Sequence, residues 1–174
     1  MAEWYVQNVA NALWLVNEKF GARGLLVRPD AQVGVRVQVL EPGKPSTMYH
    51  RETGQEGFLI VEGECLLIVD GEERPLRRWD YFHCPPGVAH SFVGAGDGPC
   101  VMVTLGLRGG TIVYERNDAA LSHEAGVEDE TDTPSVAYAP FPEWAEGHPA
   151  SWDELPWNPP PRSGRPSRLW GRPS

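Results

Sequence analysis

Two histidines and one glutamate stand out between Pro42 and Gly94, because their side chains are suited to binding a metal ion. His50 and Glu56 fall in the first half of this stretch, and His90 follows a proline-rich turn in the second half. Imidazole nitrogen and carboxylate oxygen together suit a divalent transition metal, and two histidines with one carboxylate leave coordination positions open. The residue types therefore predict a metal site with room for a further ligand.

Short strands joined by turns are the elements that would have to position these side chains. Residues 33–39 alternate valine with other residues, so four valines share one face of a strand. Residues 58–61 and 65–69 are short apolar runs, and the pair Asp70-Gly71 after them is typical of a two-residue hairpin. About eight or more short antiparallel strands between residues 24 and 107 predict an all-β protein, a sandwich or jelly-roll barrel with little helix.

The segments that flank these strands give weaker signals. Residues 4–6 predict a strand or turn, and the chain from there to Gly21 is expected to be irregular or briefly helical. Trp4 and Trp14 are expected to pack in the core or at an interface. Residues 121–132 contain five acidic residues and little periodicity, which indicates a surface linker.

The C-terminal stretch has a composition of its own. Residues 134–174 carry ten of the 17 prolines and four of the seven tryptophans. This proline density argues against a regular helix or a central strand, and so many aromatic residues are unusual in a disordered tail. We predict an extended arm that packs on the barrel or on a partner subunit through Trp144, Trp152 and Trp157; a polyproline ligand for another protein is the alternative. The predicted division is a barrel over residues 1–116 and a linker with this arm over 117–174.

Composition narrows the class of protein. A chain of 174 residues with 41% hydrophobic residues can bury the core of one domain. The formal net charge of -9 argues against nucleic acid and anionic membrane surfaces as partners. No apolar run approaches the roughly 20 residues of a membrane helix, and signal-peptide features are missing, so a cytoplasmic location is expected. Three cysteines without CxxC spacing do not indicate a disulfide framework.

The two halves of the histidine-containing stretch resemble the paired motifs of the cupin superfamily, small jelly-roll barrels that often hold one metal ion. In the second motif Pro85, Gly87 and His90 fall on the family's spacing. Trp79 stands where the family has its first glycine, and Gly94 stands where it has asparagine. The second half therefore fits the motif closely, with two departures.

The first motif fits more loosely and leaves two registers open. Glu56 keeps the family's glutamate position, but the histidine pair that should precede it can be aligned in two ways. One register puts His50 and Glu52 at these positions, and the other puts Tyr49 and Arg51 there, which would make a poor metal site. Side chains alternate across a strand, so His50 and Glu52 share a face, which favours the first register.

The resemblance, which covers about residues 33–108, implies a cupin barrel (a double-stranded β-helix) with one divalent transition metal inside. The predicted ligands form a mixed nitrogen and oxygen set for Mn, Fe, Ni or Zn: His50, Glu52, Glu56 and His90. Two alternatives stay open. His50 and Glu56 could pair by hydrogen bonding without a metal, and Glu52 could be a solvated acid beside a turn. Gln55 is a further residue that could orient a ligand.

Structural roles are expected for the other histidines and for Cys84. Odd–even counting separates His83 from His90, which favours a buried, hydrogen-bonded role for His83 near the site. His123 and His148 are expected at the surface. Cys84 is expected to be a small core residue, because the sequence places no basic partner beside it.

Two functions of different kinds fit these residues. One is a metal-dependent enzyme acting on a small organic molecule, with dioxygenase- or isomerase-like chemistry in which the metal is a Lewis acid or an oxygen-activating centre. The other is a non-catalytic module that binds a small ligand for sensing or storage. A fold does not decide between them.

A homodimer is also predicted. Phe58 and Ile60 should face into the barrel with Glu56, which leaves Leu59 and Val61 to be covered from outside. The Trp-rich arm supplies a second covering surface, closed two-fold dimers are the commonest assembly, and the cupin resemblance points the same way.

Overall fold

The computed structural model describes residues 4–158, which form two antiparallel sheets with very little helix. The strands in chain order are β1 (Leu13–Asn17), β2 (Gly21–Leu25), β3 (Val33–Leu40), β4 (His50–Glu52), β5 (Glu56–Glu62), β6 (Glu64–Val69), β7 (Glu72–Arg77), β8 (Tyr81–Cys84), β9 (His90–Ala95), β10 (Cys100–Leu107), β11 (Ile112–Tyr114) and β12 (Ala145–Glu146). The helical pieces are α1 (Asp118–Ser122), α2 (Pro134–Ala137) and the 3-10 turns Val9–Asn11 and Trp152–Glu154. The all-β prediction is confirmed.

Apolar side chains from both sheets fill the space inside the barrel. The larger sheet has seven strands in the order β12-β1-β2-β3-β10-β5-β8, and the smaller has five in the order β11-β4-β9-β6-β7. The core cluster draws on both sheets: Phe58, Ile60 and Met102 from the larger, and Cys65, Leu67 and Phe92 from the smaller. Burying each large side chain stabilises the fold by about 1.5–3 kcal/mol, so this cluster holds the two sheets together.

Strand β5 divides its side chains between the inside and the outside of the barrel. Phe58 and Ile60 are buried in the core cluster, on the side expected for them. Val61 faces the other way and packs against a second cluster around Trp14. That part of the outer face is therefore covered by the same chain.

Two valines of strand β3 lie on the outer face of the barrel, although apolar side chains usually point into a barrel. Val37 and Val39 pack in the outer cluster with Trp14. The other face therefore turns Arg36 and Gln38 inward. Gln38 is buried and donates through Nε2 to the carbonyl oxygen of Ser46 at 2.9 Å. This inward polar face becomes part of the site described below.

The N-terminal expectations are confirmed in part. Residues 4–6 form no strand or turn, and Trp4 is 85% exposed. The 3-10 turn Val9–Asn11 agrees with the expected short helical piece, but it is followed by strand β1, which was not expected and pairs with β2. Trp14 is buried, as expected, and lies opposite Gly24, where an added Cβ would be 2.8 Å from the Trp14 ring. Glycine at this position leaves room for the indole and so allows the two strands to pair.

The acidic segment is more than the surface linker that its composition indicates. Ala125 and Val127 are buried, at 0% and 9% exposure. Tyr49 donates its backbone N–H to the carbonyl oxygen of Ala125 at 2.6 Å. Tyr114 and Thr131 form an isolated bridge between backbones. Small apolar residues between the acids let this segment pack on the smaller sheet, which a reading by charge alone overlooks.

Three of the four tryptophans of the C-terminal segment lie within the described residues, and they contact the barrel of the same chain. The ring centroids of Trp152 and Trp157 lie 5.2 and 5.3 Å from that of Trp14. Trp144 stacks beside Phe20 with centroids 6.5 Å apart. These contacts account for the tryptophans without a partner subunit.

The expectation of no regular helix in this segment is wrong for one turn. Helix α2 starts with Pro134, at a position where a helix needs no backbone N–H. The chain from residue 159 onward, with its arginines, lies outside the described residues, and the boundary between residues 116 and 117 stays a prediction. Within residues 4–158 no helix has the length and apolar character needed to cross a membrane.

Candidate metal centre

Three strands bring the nitrogen and oxygen donors together inside the barrel. His50 on β4 lies opposite His90 on β9 in the smaller sheet, and Glu56 begins β5 in the larger sheet. One ligand atom from each side chain lies within 4.8 Å of the other two. Nε2 of His90 and Oε2 of Glu56 are 3.4 Å apart, and the two imidazole centroids are 5.0 Å apart. The structure thus groups three of the four residues predicted as ligands.

A tight turn before β9 aims His90 into the barrel. Pro85 and Pro86 follow β8, and Gly87 then takes a φ of 83°, a conformation that glycine adopts without strain. Gly87 donates its backbone N–H to the carbonyl oxygen of Glu52 at 2.8 Å, which ties the turn to β4. The spacing of proline, glycine and histidine therefore acts through local backbone geometry.

Both imidazoles turn one nitrogen towards the backbone. Nδ1 of His50 donates to the carbonyl oxygen of Met48 at 2.7 Å, and Nδ1 of His90 donates to that of Val88 at 3.2 Å. A carbonyl oxygen can only accept, so a neutral ring carries its proton on Nδ1 and its lone pair on Nε2. Hydrogen bonds of this kind orient metal-binding histidines. Both rings can therefore offer Nε2 to a cation.

Burial makes the Glu56 carboxylate costly unless a cation or a proton joins it. Within residues 4–158 its Oε2 has no hydrogen-bond partner. Burial, with the negative charge of Glu52 as the second cause, raises the pKa of Glu56 to about 7. Burial, with the nearby His50 as the second cause, lowers the pKa of His90 to about 3, so this imidazole is neutral near pH 7. A buried carboxylate without a hydrogen-bond partner, beside the neutral imidazole of His90, fits a divalent cation.

Aromatic rings close the inner end of this cluster. The ring centroids of Phe58, Phe82 and Phe92 lie 5.0, 6.0 and 6.0 Å from that of His90. Such a wall keeps water from the inner side of the imidazole and strengthens every charge interaction there.

Glu52 lies at the edge of the cluster. Its Oε1 is 3.6 Å from Nε2 of His50, and its side chain is 24% exposed. It does not belong to the group of three whose ligand atoms lie within 4.8 Å of one another. The neighbouring His50 imidazole is the largest cause that lowers the pKa of Glu52, so this carboxyl is ionised near pH 7. Its role as a fourth ligand stays a prediction.

Residues 36–106, which include all four predicted ligands, match the family model described as Cupin domain. The chain carries a cupin domain. A search of curated proteins gives no match. Solved structures, in contrast, include several that share the fold of this cupin domain.

One such structure is a sugar phosphate isomerase from a cupin superfamily of Silicibacter pomeroyi, with 23% identity, 66% of this chain and 88% of that chain covered, and a TM-score of 0.57. A polyketide cyclase from Streptomyces resistomycificus has 13% identity, with 62% and 82% covered and a TM-score of 0.55. A candidate sugar phosphate isomerase from Acidithiobacillus ferrooxidans has 25% identity and a TM-score of 0.48; the match covers 53% of this chain and 64% of that protein's length. The first two comparisons support the cupin fold and nothing finer.

Trp79 shows how this cupin domain keeps a turn without the motif's first glycine. Its φ is 75°, a conformation that side chains other than glycine rarely adopt. Its backbone N–H donates to the carbonyl oxygen of Ile60 at 2.7 Å, and its ring is 64% exposed. The turn geometry is therefore held by the backbone although tryptophan replaces glycine.

The expected role of His83 near the metal is wrong. His83 is exposed, because it alternates along β8 with Cys84, which points inward and is 2% exposed. Gln55 is exposed as well. Burial raises the pKa of Cys84 to about 12, so its thiol stays protonated, in agreement with a core role.

The two remaining histidines lie away from the cluster. Nε2 of His123 is 2.9 Å from Oε1 of Glu73, and the ring of His148 stacks on Trp152 with centroids 3.8 Å apart. His148 is exposed and His123 is partly exposed, in line with the expected surface positions.

A cavity of about 650 Å³ adjoins the cluster and was not predicted from the sequence. Its lining includes both ends of the site: His50 and Glu52 near the cluster, and Arg23, Arg36, Tyr138 and Trp144 farther out. Alternation along β3 could have found Arg36, because the valines occupy the other face. No spacing signal connects Arg23 with Trp144, since these residues come from opposite sides of the cupin domain in the sequence.

Proposed function

We propose that this cupin protein binds one divalent transition metal, Mn, Fe, Ni or Zn, at His50, Glu56 and His90, with Glu52 as the fourth ligand. The observation that carries the proposal is the buried Oε2 of Glu56, which lacks a hydrogen-bond partner in the part of the chain that the structure describes and lies 3.4 Å from Nε2 of His90. A mixed nitrogen and oxygen set of this size suits these metals and leaves positions open.

The function that this site supports best is catalysis on a small organic molecule in the adjoining cavity, of dioxygenase or isomerase type. The metal would supply Lewis acidity or oxygen activation when bound. His50 and His90 would hold it through Nε2, because their Nδ1 protons are tied to backbone carbonyls. The phenylalanine wall would keep water from the inner face, and the cavity would admit the substrate beside His50.

Metal uptake tests this proposal directly. Protein purified without an affinity tag, stripped with a chelator and offered Mn, Fe, Ni and Zn in turn, should retain one ion per chain for at least one metal. X-ray absorption should show only nitrogen and oxygen neighbours, because the Cys84 thiol lies 3.4 Å from Nδ1 of His90 and not beside the Nε2 that would bind the metal. Uptake of none of these metals would overturn the metal site and leave the non-catalytic ligand-binding module as the better description.

Homodimer formation is part of the proposal. Strand β8 is an edge of the larger sheet, and Trp79 and Tyr81 at this edge are 64% and 58% exposed. Exposed aromatic side chains beside an open strand edge favour pairing with a second copy. Sedimentation at micromolar concentration should show a dimer that Trp79→Glu weakens, and a wild-type protein that is only monomeric would contradict it.

A further inference from the structure

The cavity beside the candidate metal centre carries two arginines that face it from adjacent strands. Arg23 on β2 lies opposite Gln38 of β3, and Arg36 lies two residues before Gln38 on the same face. Both arginines line the cavity together with His50 and Glu52. The two guanidinium groups are therefore placed at one wall of a space that also reaches the site.

Arg23 has no anion of its own in residues 4–158. Its Nε is buried and has no hydrogen-bond partner there, and no carboxylate of the same residues forms an ion pair with it. The guanidinium lies over the ring of Trp144, with Cζ 3.9 Å from the ring centroid. Stacking on the indole leaves the planar edge of the guanidinium, which carries its N–H donors, available to another group.

Arg36 is held by one hydrogen bond and is likewise without an ion pair among the described residues. Its Nε donates to Oγ1 of Thr104 at 3.1 Å. Burial and then the positive charge of Arg36 lower the pKa of Arg23, which indicates that the two cations repel each other in a poorly hydrated space. An anion between them would offset that repulsion.

The other side chains that line the cavity indicate what the remainder of a bound molecule should be like. Tyr138 and Trp144 form an aromatic wall, and their neighbours Phe20 and Phe141 hold this wall against the barrel. The acids at the cavity are Glu52, at the end near His50, and Glu143, which is exposed. Positive charge is thus concentrated at the arginine end, and apolar surface lies beside it.

We propose that this cavity binds a small organic oxyanion, a carboxylate or a phosphate monoester with a planar apolar body. Its oxyanion accepts hydrogen bonds from Arg23 and Arg36, and its body packs on Tyr138 and Trp144. The part of the molecule farthest from the arginines then points to His50. The proposal names the substrate class of the proposed metal enzyme and rests on that function only for the chemistry at His50, since oxyanion binding needs no metal.

Calorimetry on metal-free protein tests the binding. Benzoate and phenyl phosphate are the two oxyanion probes, and benzamide is the neutral analogue of benzoate with the same shape. At least one oxyanion should bind about tenfold or more tightly than benzamide, because a charge-assisted contact is lost in the neutral probe. Preference for benzoate assigns a carboxylate and preference for phenyl phosphate assigns a phosphate. Equal binding of benzamide, or no binding of either oxyanion up to roughly 10 mM, overturns the proposal.

Arginine variants show whether the binding occurs in this cavity. Arg23→Gln and Arg36→Gln should each weaken oxyanion binding about tenfold and leave benzamide unchanged. Arg74→Gln is the matched control, because Arg74 is exposed and pairs with Glu72 on β7. Arg23→Lys keeps the positive charge and loses the planar guanidinium group. Its affinity for the oxyanion should therefore lie between those of wild type and Arg23→Gln. Unchanged binding in a folded Arg23→Gln or Arg23→Lys protein overturns the proposal.

Metal uptake, measured separately, keeps this inference distinct from the proposed function. Oxyanion binding that depends on Arg23 in a protein that takes up no metal would refute the metal enzyme and support the anion site. Metal uptake by a protein that binds neither oxyanion more tightly than benzamide would support the metal site and refute the anion site.

Discussion

The inner and outer ends of the site are built in different ways. At the inner end Glu56 and His90 come from the two facing sheets of the cupin domain, and His90 packs against a wall of phenylalanines. At the outer end Arg23 lies on a strand before that domain, and Trp144 lies in the segment after it. The inner end is apolar with one buried negative charge, whereas the outer end holds two positive charges beside aromatic rings.

This difference indicates a division of roles between the cupin domain and its flanking segments. The inner end uses the fixed geometry of two strands and one turn to present metal ligands. The outer end depends on how the chain ends pack, so its shape can change without disturbing the ligands. Variants at each end should therefore affect different measurements.

The largest effect on stability is expected from truncating Phe20, which supports the aromatic wall at the outer end. This ring is 1% exposed and has Tyr138 and Phe141 in edge contact, with centroids 5.1 Å away in each case. Phe20→Ala should lower the free energy of unfolding in urea by about 3–5 kcal/mol, because it leaves a cavity under the aromatic wall. The folded variant should lose oxyanion binding and still take up metal.

The control for Phe20→Ala is Trp4→Ala, because Trp4 is 85% exposed. It should change stability by less than about 0.5 kcal/mol. Loss of metal uptake in folded Phe20→Ala would show that the two ends are not separable.

A substitution at the inner end should have the opposite effects on the two kinds of binding. His90→Ala should weaken metal binding by at least about hundredfold, or about 2.7 kcal/mol, while oxyanion binding to the metal-free protein stays unchanged. His83→Ala is the matched control, because His83 belongs to the strand just before the same turn and is exposed. Metal content can be measured by mass spectrometry after gel filtration. Wild-type metal content in His90→Ala would place the metal elsewhere.

A pH series on metal-free protein examines the inner end more closely. The pKa of Glu56 is raised from 4.5 to about 7, so the folded state holds a proton that the unfolded state releases between these values. The stability contributed by protonated Glu56 is complete below about pH 4.5 and is lost as the pH rises through about 7. Glu56→Gln keeps the shape without the titration, so its stability relative to wild type should rise by about 3 kcal/mol between pH 4.5 and pH 8.

The stability contributed by His90 changes with pH in the opposite direction. This contribution is the same in wild type and in Glu56→Gln, so it cancels when the two proteins are compared. The pKa of His90 is lowered to about 3, so stability is lost as the pH falls from about 6.5 to 3 in both proteins. Urea melts at each pH give the difference between wild type and Glu56→Gln. A constant difference from pH 4.5 to 8 would mean that Glu56 is not held protonated by burial.

The sequence could place individual side chains of the inner end because their signals are local. Alternation along β5 placed Phe58 and Ile60 inside, and the turn spacing before His90 aimed that imidazole correctly. His83 was assigned wrongly, because alternation gives the face of a strand but does not show whether a neighbour covers that face at the strand's end.

The outer end could not be predicted, because its contacts join residues that are far apart in the chain. Arg23 and Trp144 meet only because β1 and β2 extend the larger sheet beneath the C-terminal segment. Composition indicated correctly that the tryptophans pack, but not where.

Glu52 lies between the two ends, and the smallest predicted effect concerns it. Its Oε1 lies 3.6 Å from Nε2 of His50, which is too far for a hydrogen bond but close enough for both atoms to bind one metal ion. If Glu52 is a ligand, Glu52→Gln should weaken metal binding roughly tenfold, about 1.4 kcal/mol, because a neutral amide is a poorer ligand. If Glu52 is not a ligand, Glu52→Gln should leave metal binding unchanged, because His50, Glu56 and His90 all stay in place. Metal titrations of Glu52→Gln, with Glu143→Gln at the exposed rim as control, distinguish the two: weaker binding supports the fourth ligand, and unchanged binding contradicts it.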